Sequence, residues 1–270
     1  MVALIMDFGV QGLNIGDEAG PQATRRLAQL AESLGYRSWW ASDHVVLPSP
    51  RVDPSPSEPD TVIVDPLTHL SYVAAVTSTL ELATGIVILP QRNPLVLAKQ
   101  VASLDLLSGG RFTLGVGAGY LEPEMTAVGA SFGERGAITD EYLDAMDQLW
   151  HADVPAFAGE HVSFSGVDAF PKPSNVRVVV GGHSPSAFRR AVTRAQGWFG
   201  IGTPSDIRGH LARFPARPDG FRISVSTQVP LTAAVVREYE DLGVDELVIY
   251  PPAFDGTVDE VLRRYAELIG

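Results

Sequence analysis

Two hydrophobic patterns alternate along the chain: short runs of β-branched and apolar residues, and longer stretches with apolar residues at helical spacing. The first longer stretch begins at Pro21 and ends at Gly35, as a helix with proline in its first turn should. Eight short runs predict β-strands, at residues 3–8, 37–41, 82–89, 112–116, 176–180, 198–201, 222–227 and 246–250. A predicted helix follows each of these strands sooner or later.

This alternation predicts a parallel sheet, and eight units predict an α/β fold with a closed (β/α)8 barrel, the TIM barrel. An open, doubly wound sheet is the alternative. The dinucleotide fingerprint G-x-G-x-x-G that would support it is incomplete, because Tyr120 stands where the third glycine belongs and no helix is predicted to follow at once. We therefore predict a single barrel domain over residues 1–270.

Two segments fit neither pattern and predict excursions from the barrel. Residues 45–61 contain five prolines, which are incompatible with regular structure and indicate a long loop. Strongly patterned segments flank this loop, so a functional role is more plausible than a domain linker. Residues 153–165 predict a small hairpin with Gly159 at its turn.

Composition excludes several classes of function. The formal net charge is −12, which argues against nucleic acid or an anionic membrane surface as partner. The chain has no cysteine, and therefore no disulfide, thiolate nucleophile or iron–sulfur cluster. The apolar start of the chain lacks the basic region of a signal peptide, and no apolar run reaches 18 residues. A soluble, cytoplasmic protein is expected.

Residues 109–120 read Gly-Gly-Arg-Phe-Thr-Leu-Gly-Val-Gly-Ala-Gly-Tyr. A strand that ends in alternating glycines exposes backbone N–H groups and lets a flat or anionic ligand come close. A tight turn explains the pattern equally well when it is taken alone. The ligand interpretation gains weight because other predicted strands also end in polar or glycine-rich residues, which a barrel brings to one face.

Among these strand ends, Asp43-His44 has the side chains best suited to proton transfer. Histidine titrates near neutrality and can act as acid, base or hydrogen-bond donor. A rim histidine held by Asp43 accounts for the pair as well, and the sequence leaves both interpretations open. A metal site with Asp65 and His69 is weaker, because Asp65 is better explained as a helix cap and no third ligand is evident.

A second kind of strand end joins glycines to a helix. Residues 181–185, Gly-Gly-His-Ser-Pro, connect a strand to a helix N-terminus, where free N–H groups and the helix dipole favour an anion. The alternative is an ordinary loop in which Ser184 is only the N-cap. Arg92 follows the third strand and could meet a phosphate or a cofactor tail, although such an arginine more often fixes a loop through an ion pair.

Together these segments resemble the bacterial-luciferase-like superfamily of flavin- and coenzyme F420-dependent oxidoreductases. The resemblance is strongest over residues 65–120, with Leu-Asp-Leu-Leu-Ser-Gly-Gly-Arg-Phe at 104–112 and Gly-Val-Gly-Ala-Gly at 115–119. Ser-Asp-His at 42–44 and Val-Gly-Gly at 180–182 match as well. The likeness covers roughly the first three quarters of the chain and looks most like the F420-dependent branch.

The resemblance implies a deazaflavin at the C-terminal face of the barrel, with His44 as the proton donor or acceptor and Asp43 orienting it. It also implies a cis peptide bond at Gly85-Ile86. The cofactor-binding residues expected on this basis are Asp43, His44, Gly85, Ile86, Arg92, Gly117, Ala118, Gly119, Tyr120, Gly181, Gly182, His183, Ser184 and Thr203.

The expected function is therefore hydride transfer between F420 and a small organic substrate. Sugar-phosphate dehydrogenases of the superfamily carry a catalytic glutamate where this chain has Tyr120, so their activity is not expected here. An FMN-dependent monooxygenase and a non-catalytic flavin-binding protein are the alternatives. By analogy with relatives, a homodimer is expected, with no metal in the site.

Overall fold

Eight parallel strands close into a barrel, and one of them is in two pieces. The computed structural model describes residues 6–174 and 176–269. The strands are β1 Asp7–Gln11, β2 Ser38–Ala41, β3 Glu81–Thr84, β4 Val87–Ile88, β5 Phe112–Gly117, β6 Phe157–Ala158, β7 Ser163–Phe164, β8 Arg177–Gly181, β9 Gly197–Ile201, β10 Arg222–Thr227 and β11 Glu246–Ile249. The barrel runs β3-β2-β1-β11-β10-β9-β8-β5, and β3 and β4 both pair with β5 to close it. The predicted (β/α)8 barrel is confirmed.

Two strand predictions differ from the structure. The first strand spans Asp7–Gln11, later than predicted, and residues 3–5 of the predicted run lie outside the described residues. The third strand is interrupted between β3 and β4, where the Gly85-Ile86 peptide bond is cis. The cis bond is confirmed, and the interruption explains why one continuous apolar run forms two short pieces.

The helices lie outside the barrel, and polar side chains cap most of their N-termini. They are α1 Pro21–Ser33, α2 Pro66–Val76, α3 Pro94–Ser108, α4 Glu122–Ala127, α5 Arg135–His151, α6 Pro185–Arg194, α7 Pro204–Leu211, α8 Ala233–Asp241 and α9 Val258–Ala266. The Asp65 side chain accepts a hydrogen bond from the Thr68 N–H, as expected of a cap followed by proline. Within the described part of the chain, no helix is long and apolar enough to cross a membrane.

The short helix α4 was not predicted. It begins at Glu122, two residues after Tyr120, so the expectation that no helix follows the glycines at once was wrong. The two predicted excursions are confirmed: residues 45–61 contain neither helix nor strand, and β6 and β7 form the hairpin. The Glu141 carboxylate fixes this hairpin by accepting the backbone N–H groups of residues 160–162.

The barrel interior changes character along its axis. Its middle is apolar, with stacked Trp40 and Phe199 rings whose centroids are 4.5 Å apart. At the N-terminal end the Glu246 carboxylate is buried, accepts hydrogen bonds from Ser38 and Ser224, and lies 3.7 Å from Arg222. A buried carboxylate needs such partners, so the polar groups at this end of the barrel have a structural role. A functional site is therefore expected at the C-terminal end.

Gly115 is expected to be indispensable for closing the barrel. A Cβ atom at this position would lie 1.9 Å from the Thr84 carbonyl oxygen, in a pair of strands that cannot separate without breaking the ring. Gly115→Ala should lower the free energy of unfolding by roughly 1–3 kcal/mol or more, measured by urea denaturation. Gly133→Ala is the control, because its Cβ would meet nothing within 4 Å. Equal urea midpoints for the two variants would contradict this account.

Candidate functional site

The residues predicted for the site all lie at the C-terminal ends of barrel strands or directly after them. Parallel strands of a barrel end on one face, so these segments converge on a single mouth. Gln11 and Asn14, which the sequence did not single out, hold the mouth together. The Gln11 amide donates to the Gly85 carbonyl at 2.8 Å, and Asn14 bonds both the N–H and the carbonyl of Ser42.

Asp43 has a different role from the one expected. Its carboxylate is buried and accepts the Ile88 N–H at 3.0 Å and an Arg92 N–H at 2.8 Å. Burial raises the pKa of Asp43, although Arg92 and the Ile88 N–H act in the opposite direction. Asp43 therefore anchors the end of β4 to the loop after it, and the expectation that it orients His44 was wrong.

Arg92 fixes the loop, which was the simpler of the two interpretations. The same terminal nitrogen donates to Asp43 and, at 2.9 Å, to Asp65, and the side chain is only 16% exposed. Burial disfavours a charged guanidinium, yet the two carboxylates outweigh it and raise the pKa of Arg92. The two carboxylates compensate the charge of this arginine, which reduces its attraction for an anionic ligand.

Glu124 takes the place that had been assigned to Asp43. One of its carboxylate oxygens lies 2.9 Å from Nδ1 of His44, and the other accepts the Val45 N–H at 2.6 Å. The Glu124 side chain has no exposed surface. On the other side of the ring, the Tyr120 hydroxyl lies 3.4 Å from Nε2 of His44. Glu124 was missed because α4 is too short for a helical pattern to reveal it.

The glycines at the mouth mainly make room for Ile86. A Cβ on Gly117 would lie 2.6 Å from Cδ1 of Ile86, and a Cβ on Gly181 would lie 2.9 Å from its Cγ2. Gly119 has φ +83° and packs against Ile88 and Met125. The expected reason for these glycines, close approach of a ligand to the backbone, is therefore replaced at 117 and 181 by packing of a protein side chain.

Two neighbouring helix N-termini at the mouth differ in charge. At α7 the Thr203 side chain and the Asp206 carboxylate form a capping box, so this end already carries its own anion. At α6 the Ser184 hydroxyl caps the Ala187 N–H, and the first turn contains no acidic residue. A helix N-terminus attracts an anion, and α6 is the one of the two that leaves this attraction uncompensated. Thr203, expected to bind cofactor, is engaged within its own cap.

His183 and Gly182 support the loop between β8 and α6. Nε2 of His183 accepts the Ile201 N–H at 3.1 Å, and its ring stacks on His210 with centroids 4.3 Å apart. Burial and the neighbouring His210 lower the pKa of His183. The Gly182 carbonyl accepts the indole N–H of Trp198 at 2.8 Å. The loop is thus held by contacts with β9 and α7.

The rest of the mouth offers apolar surface. Ile86 is half-buried, and Val45, Tyr120 and Ile201 are each 48% exposed. Soluble proteins seldom gather exposed apolar side chains without a use for them. A flat ring on the isoleucines, with a phosphate toward α6, fits this combination of apolar floor and uncompensated helix end.

The interpretation of Asp65 and His69 as metal ligands gains no support from their positions. Asp65 is engaged with Thr68 and Arg92, and Nε2 of His69 accepts the Trp39 indole N–H at 3.1 Å. Burial lowers the pKa of His69 to about 4. Over residues 6–174 and 176–269, no three His, Asp or Glu side chains are grouped as a metal would need.

A groove of about 570 Å³ lies away from the mouth, between α5, α6 and the hairpin. Its charged side chains already have partners: Arg194 binds Asp144 at 2.8 Å, and Asp147 binds His151. The mouth combines a histidine, a buried carboxylate and a phenol, whereas the groove offers no comparable group. Size alone therefore does not identify the site, and the mouth is the candidate active site.

Residues 1–249 match the sequence model of the family described as luciferase-like monooxygenase. The chain belongs to the luciferase-like monooxygenase family. One relative, the uncharacterized protein Rv0953c of Mycobacterium tuberculosis, is 35% identical over 191 residues, which is 67% of each chain. Membership of this family makes the protein an enzyme and leaves the non-catalytic alternative without support.

Solved structures share the luciferase-like fold. The coenzyme F420-dependent tetrahydromethanopterin reductase from Methanopyrus kandleri superposes with a TM-score of 0.77 at 16% identity, covering 98% of each chain. The monooxygenase RslO1 from Streptomyces bottropensis gives 0.76 at 20% identity and the same coverage. An F420-dependent reductase and a monooxygenase thus share the fold of this chain.

Removing Arg92 should destabilise the protein in a pH-dependent way. Arg92→Ala leaves Asp43 buried without a counter-charge, so the pKa of Asp43 should rise further above its ordinary value of 3.8. A carboxyl with a raised folded-state pKa weakens the fold only when it must ionise, so the loss should be small near about pH 4 and grow as the pH rises. At neutral pH we expect a loss of roughly 3 kcal/mol.

Melting temperatures of the wild type and the variant across this pH range measure the effect. Arg51→Ala is the control, because its ion pair with Glu58 is exposed and should contribute less than about 1 kcal/mol at any pH. A loss for Arg92→Ala that does not change with pH would contradict the assignment of Arg92 as the counter-charge of Asp43.

Proposed function

We propose that this enzyme transfers a hydride between coenzyme F420 and a small organic substrate at the barrel mouth. The observation that carries the proposal is His44, held by a fully buried carboxylate beside an apolar floor. F420-dependent enzymes are among the structures that share its fold. The sequence resemblance to the F420-dependent branch supports the same choice. The deazaflavin, when bound, would supply the hydride chemistry.

The protein side of this proposal divides the mouth into two parts. Ile86, which is half-buried, and Ile201, which is 48% exposed, would hold the ring, because both lie at strand ends on the mouth and form its apolar floor. The N-terminus of α6, with the Ser184 and Ser186 hydroxyls 2.9 Å apart, would hold the phosphate. His44 would give or take the proton that accompanies the hydride. A cytoplasmic location of the protein is part of the same proposal.

An FMN-dependent monooxygenase is the second candidate. Monooxygenases are present both among relatives and among structures of the same fold. An apolar floor and a phosphate-attracting helix end suit FMN as well as F420, because both carry a flat ring and a phosphate. What separates the two candidates is affinity and turnover.

Titration of the purified protein with F420 and, separately, with FMN, followed by fluorescence, tests the proposal. We expect tighter binding of F420, and loss of its visible absorbance or its reappearance when small alcohols or carbonyl compounds are supplied. Equal or tighter binding of FMN would overturn the preference and favour the monooxygenase.

A pair of variants tests the position of the phosphate in the same titration. Ser186→Asp adds a carboxylate to the first turn of α6 and should weaken binding at least tenfold. Ser205→Asp makes the same change on α7, whose end already carries Asp206, and should have little effect. Equal weakening by both variants would remove α6 as the phosphate site.

We further propose that the enzyme is a homodimer joined through the outer faces of α2 and α3. These helices pack against each other and carry apolar residues toward solvent as well as toward the barrel. Val96 and Leu107, 57% and 73% exposed, lie on one side of α3, because eleven residues make about three helical turns. Leu106, 64% exposed, lies next to Leu107. Exposed apolar side chains of this size on otherwise buried helices are typical of an interface, and a second copy would cover them with the same residues.

Light scattering after size exclusion checks the dimer. The wild type should have twice the chain mass of 28.9 kDa. Leu106→Glu combined with Leu107→Glu should give the monomer, because two carboxylates would be forced into the apolar interface. Val154→Glu, at a residue 82% exposed in the hairpin excursion, should leave the dimer intact. A monomeric wild type would contradict the proposal.

A further inference from the structure

Glu124, His44 and Tyr120 form a continuous row at the mouth, of which the proposed function uses only the middle member. The row runs from the Glu124 carboxylate through Nδ1 and Nε2 of His44 to the Tyr120 hydroxyl, with distances of 2.9 Å and 3.4 Å. The rings of His44 and Tyr120 meet edge to face, at 86°. The three residues come from the segments after β2 and β5 and from α4.

Hydrogen bonding assigns the protons along this row. A carboxylate only accepts hydrogen bonds, so the neutral His44 ring carries its proton on Nδ1, facing Glu124. Nε2 then has a lone pair, and the Tyr120 hydroxyl is the donor to it. The second Glu124 oxygen accepts the Val45 N–H, which prevents the carboxylate from turning away.

Exposure identifies the end of the row that a substrate would meet. The Glu124 side chain is fully buried and the His44 side chain is 11% exposed, whereas Tyr120 is 48% exposed. With Nε2 covered by the phenol, the imidazole has no nitrogen directed to the open mouth. The phenol oxygen keeps its lone pairs for a ligand.

We propose that Tyr120 is a catalytic residue that exchanges a proton with a hydroxyl or carbonyl oxygen of the substrate. His44 holds the proton behind it, and Glu124 is a positioning residue that fixes the ring. The inference rests on the proposed hydride transfer and names the substrate class as an alcohol and its carbonyl compound.

The transfer balances in both directions. When an alcohol is oxidised, its hydroxyl proton passes to the Tyr120 oxygen while the Tyr120 proton passes to Nε2 of His44. The C–H bond would break at the same time, and its two electrons would leave as the hydride that an oxidised deazaflavin, when bound, would accept. His44 becomes an imidazolium opposite the Glu124 carboxylate, which stabilises the charge. Reduction of the carbonyl compound returns the same proton and hydride.

Nitrogen-15 NMR of histidine-labelled protein without any cofactor tests the row directly. The wild type should show His44 with its proton on Nδ1, and the His44→Asn spectrum identifies this signal among the six histidines. Glu124→Gln should move the proton to Nε2. The Val45 N–H requires the amide oxygen, so the amide NH2 must face Nδ1 and turn it into an acceptor. A wild-type ring with its proton on Nε2 would overturn the proposal.

Tyr120→Phe tests the last step and keeps the ring packing. The Nε2 signal should shift toward that of an imidazole nitrogen without a donor, and an unchanged signal would overturn the contact. Tyr72→Phe is the control, because it also removes one hydroxyl, on α2, away from the mouth. These spectra need no cofactor. A failure of F420 binding would therefore refute the proposed function, whereas the NMR spectra alone decide whether the Glu124–His44–Tyr120 row exists.

In the F420 turnover assay, Tyr120→Phe should lower kcat by roughly 10²–10⁴-fold. The dissociation constant of F420 should change less than about threefold, because neither the floor nor α6 is altered. Tyr72→Phe should retain wild-type kcat. A Tyr120→Phe variant that keeps kcat within twofold of the wild type would overturn the catalytic role of the phenol.

Discussion

The packing of one side chain, Ile86, governs the architecture of the barrel mouth. Its alkyl group lies where Cβ atoms of Gly117 and Gly181 would otherwise be, so two further strands, β5 and β8, must carry glycine opposite it. The same isoleucine remains half-buried and forms part of the apolar floor. Closing the barrel and building the floor are thus one constraint, and the glycines that resemble a ligand-binding loop satisfy that constraint first.

The two ends of the barrel use buried charge in different ways. At the N-terminal end, the Glu246 carboxylate has hydroxyl partners on two strands and an arginine nearby. At the mouth, the Asp43–Arg92 pair anchors the loop after β4. Glu124 is buried there too, but its partner is an imidazole that can change protonation state. Only this last arrangement combines a fixed charge with a group that can move a proton.

The sequence predicted those features that depend only on residues close together in the chain. The strand–helix alternation, the Asp65 cap and the 45–61 loop depend on neighbours in sequence, and they were found. The partners within the site could not be predicted in this way. Asp43 pairs with a residue 49 positions away, and Glu124 reaches His44 across 80 positions from a six-residue helix. Such contacts follow from the closure of the barrel, which no short pattern encodes.

The different charges of the α6 and α7 N-termini have a consequence for the direction in which a ligand binds. One helix end carries the Asp206 carboxylate and its neighbour carries none, so the mouth is electrically asymmetric between two successive helices. A long ligand with a phosphate at one end would therefore bind with that end toward α6, and its other end would always lie on the side away from α6. End-to-end direction would thus be set by helix-end charge, without any residue devoted to reading the rest of the ligand.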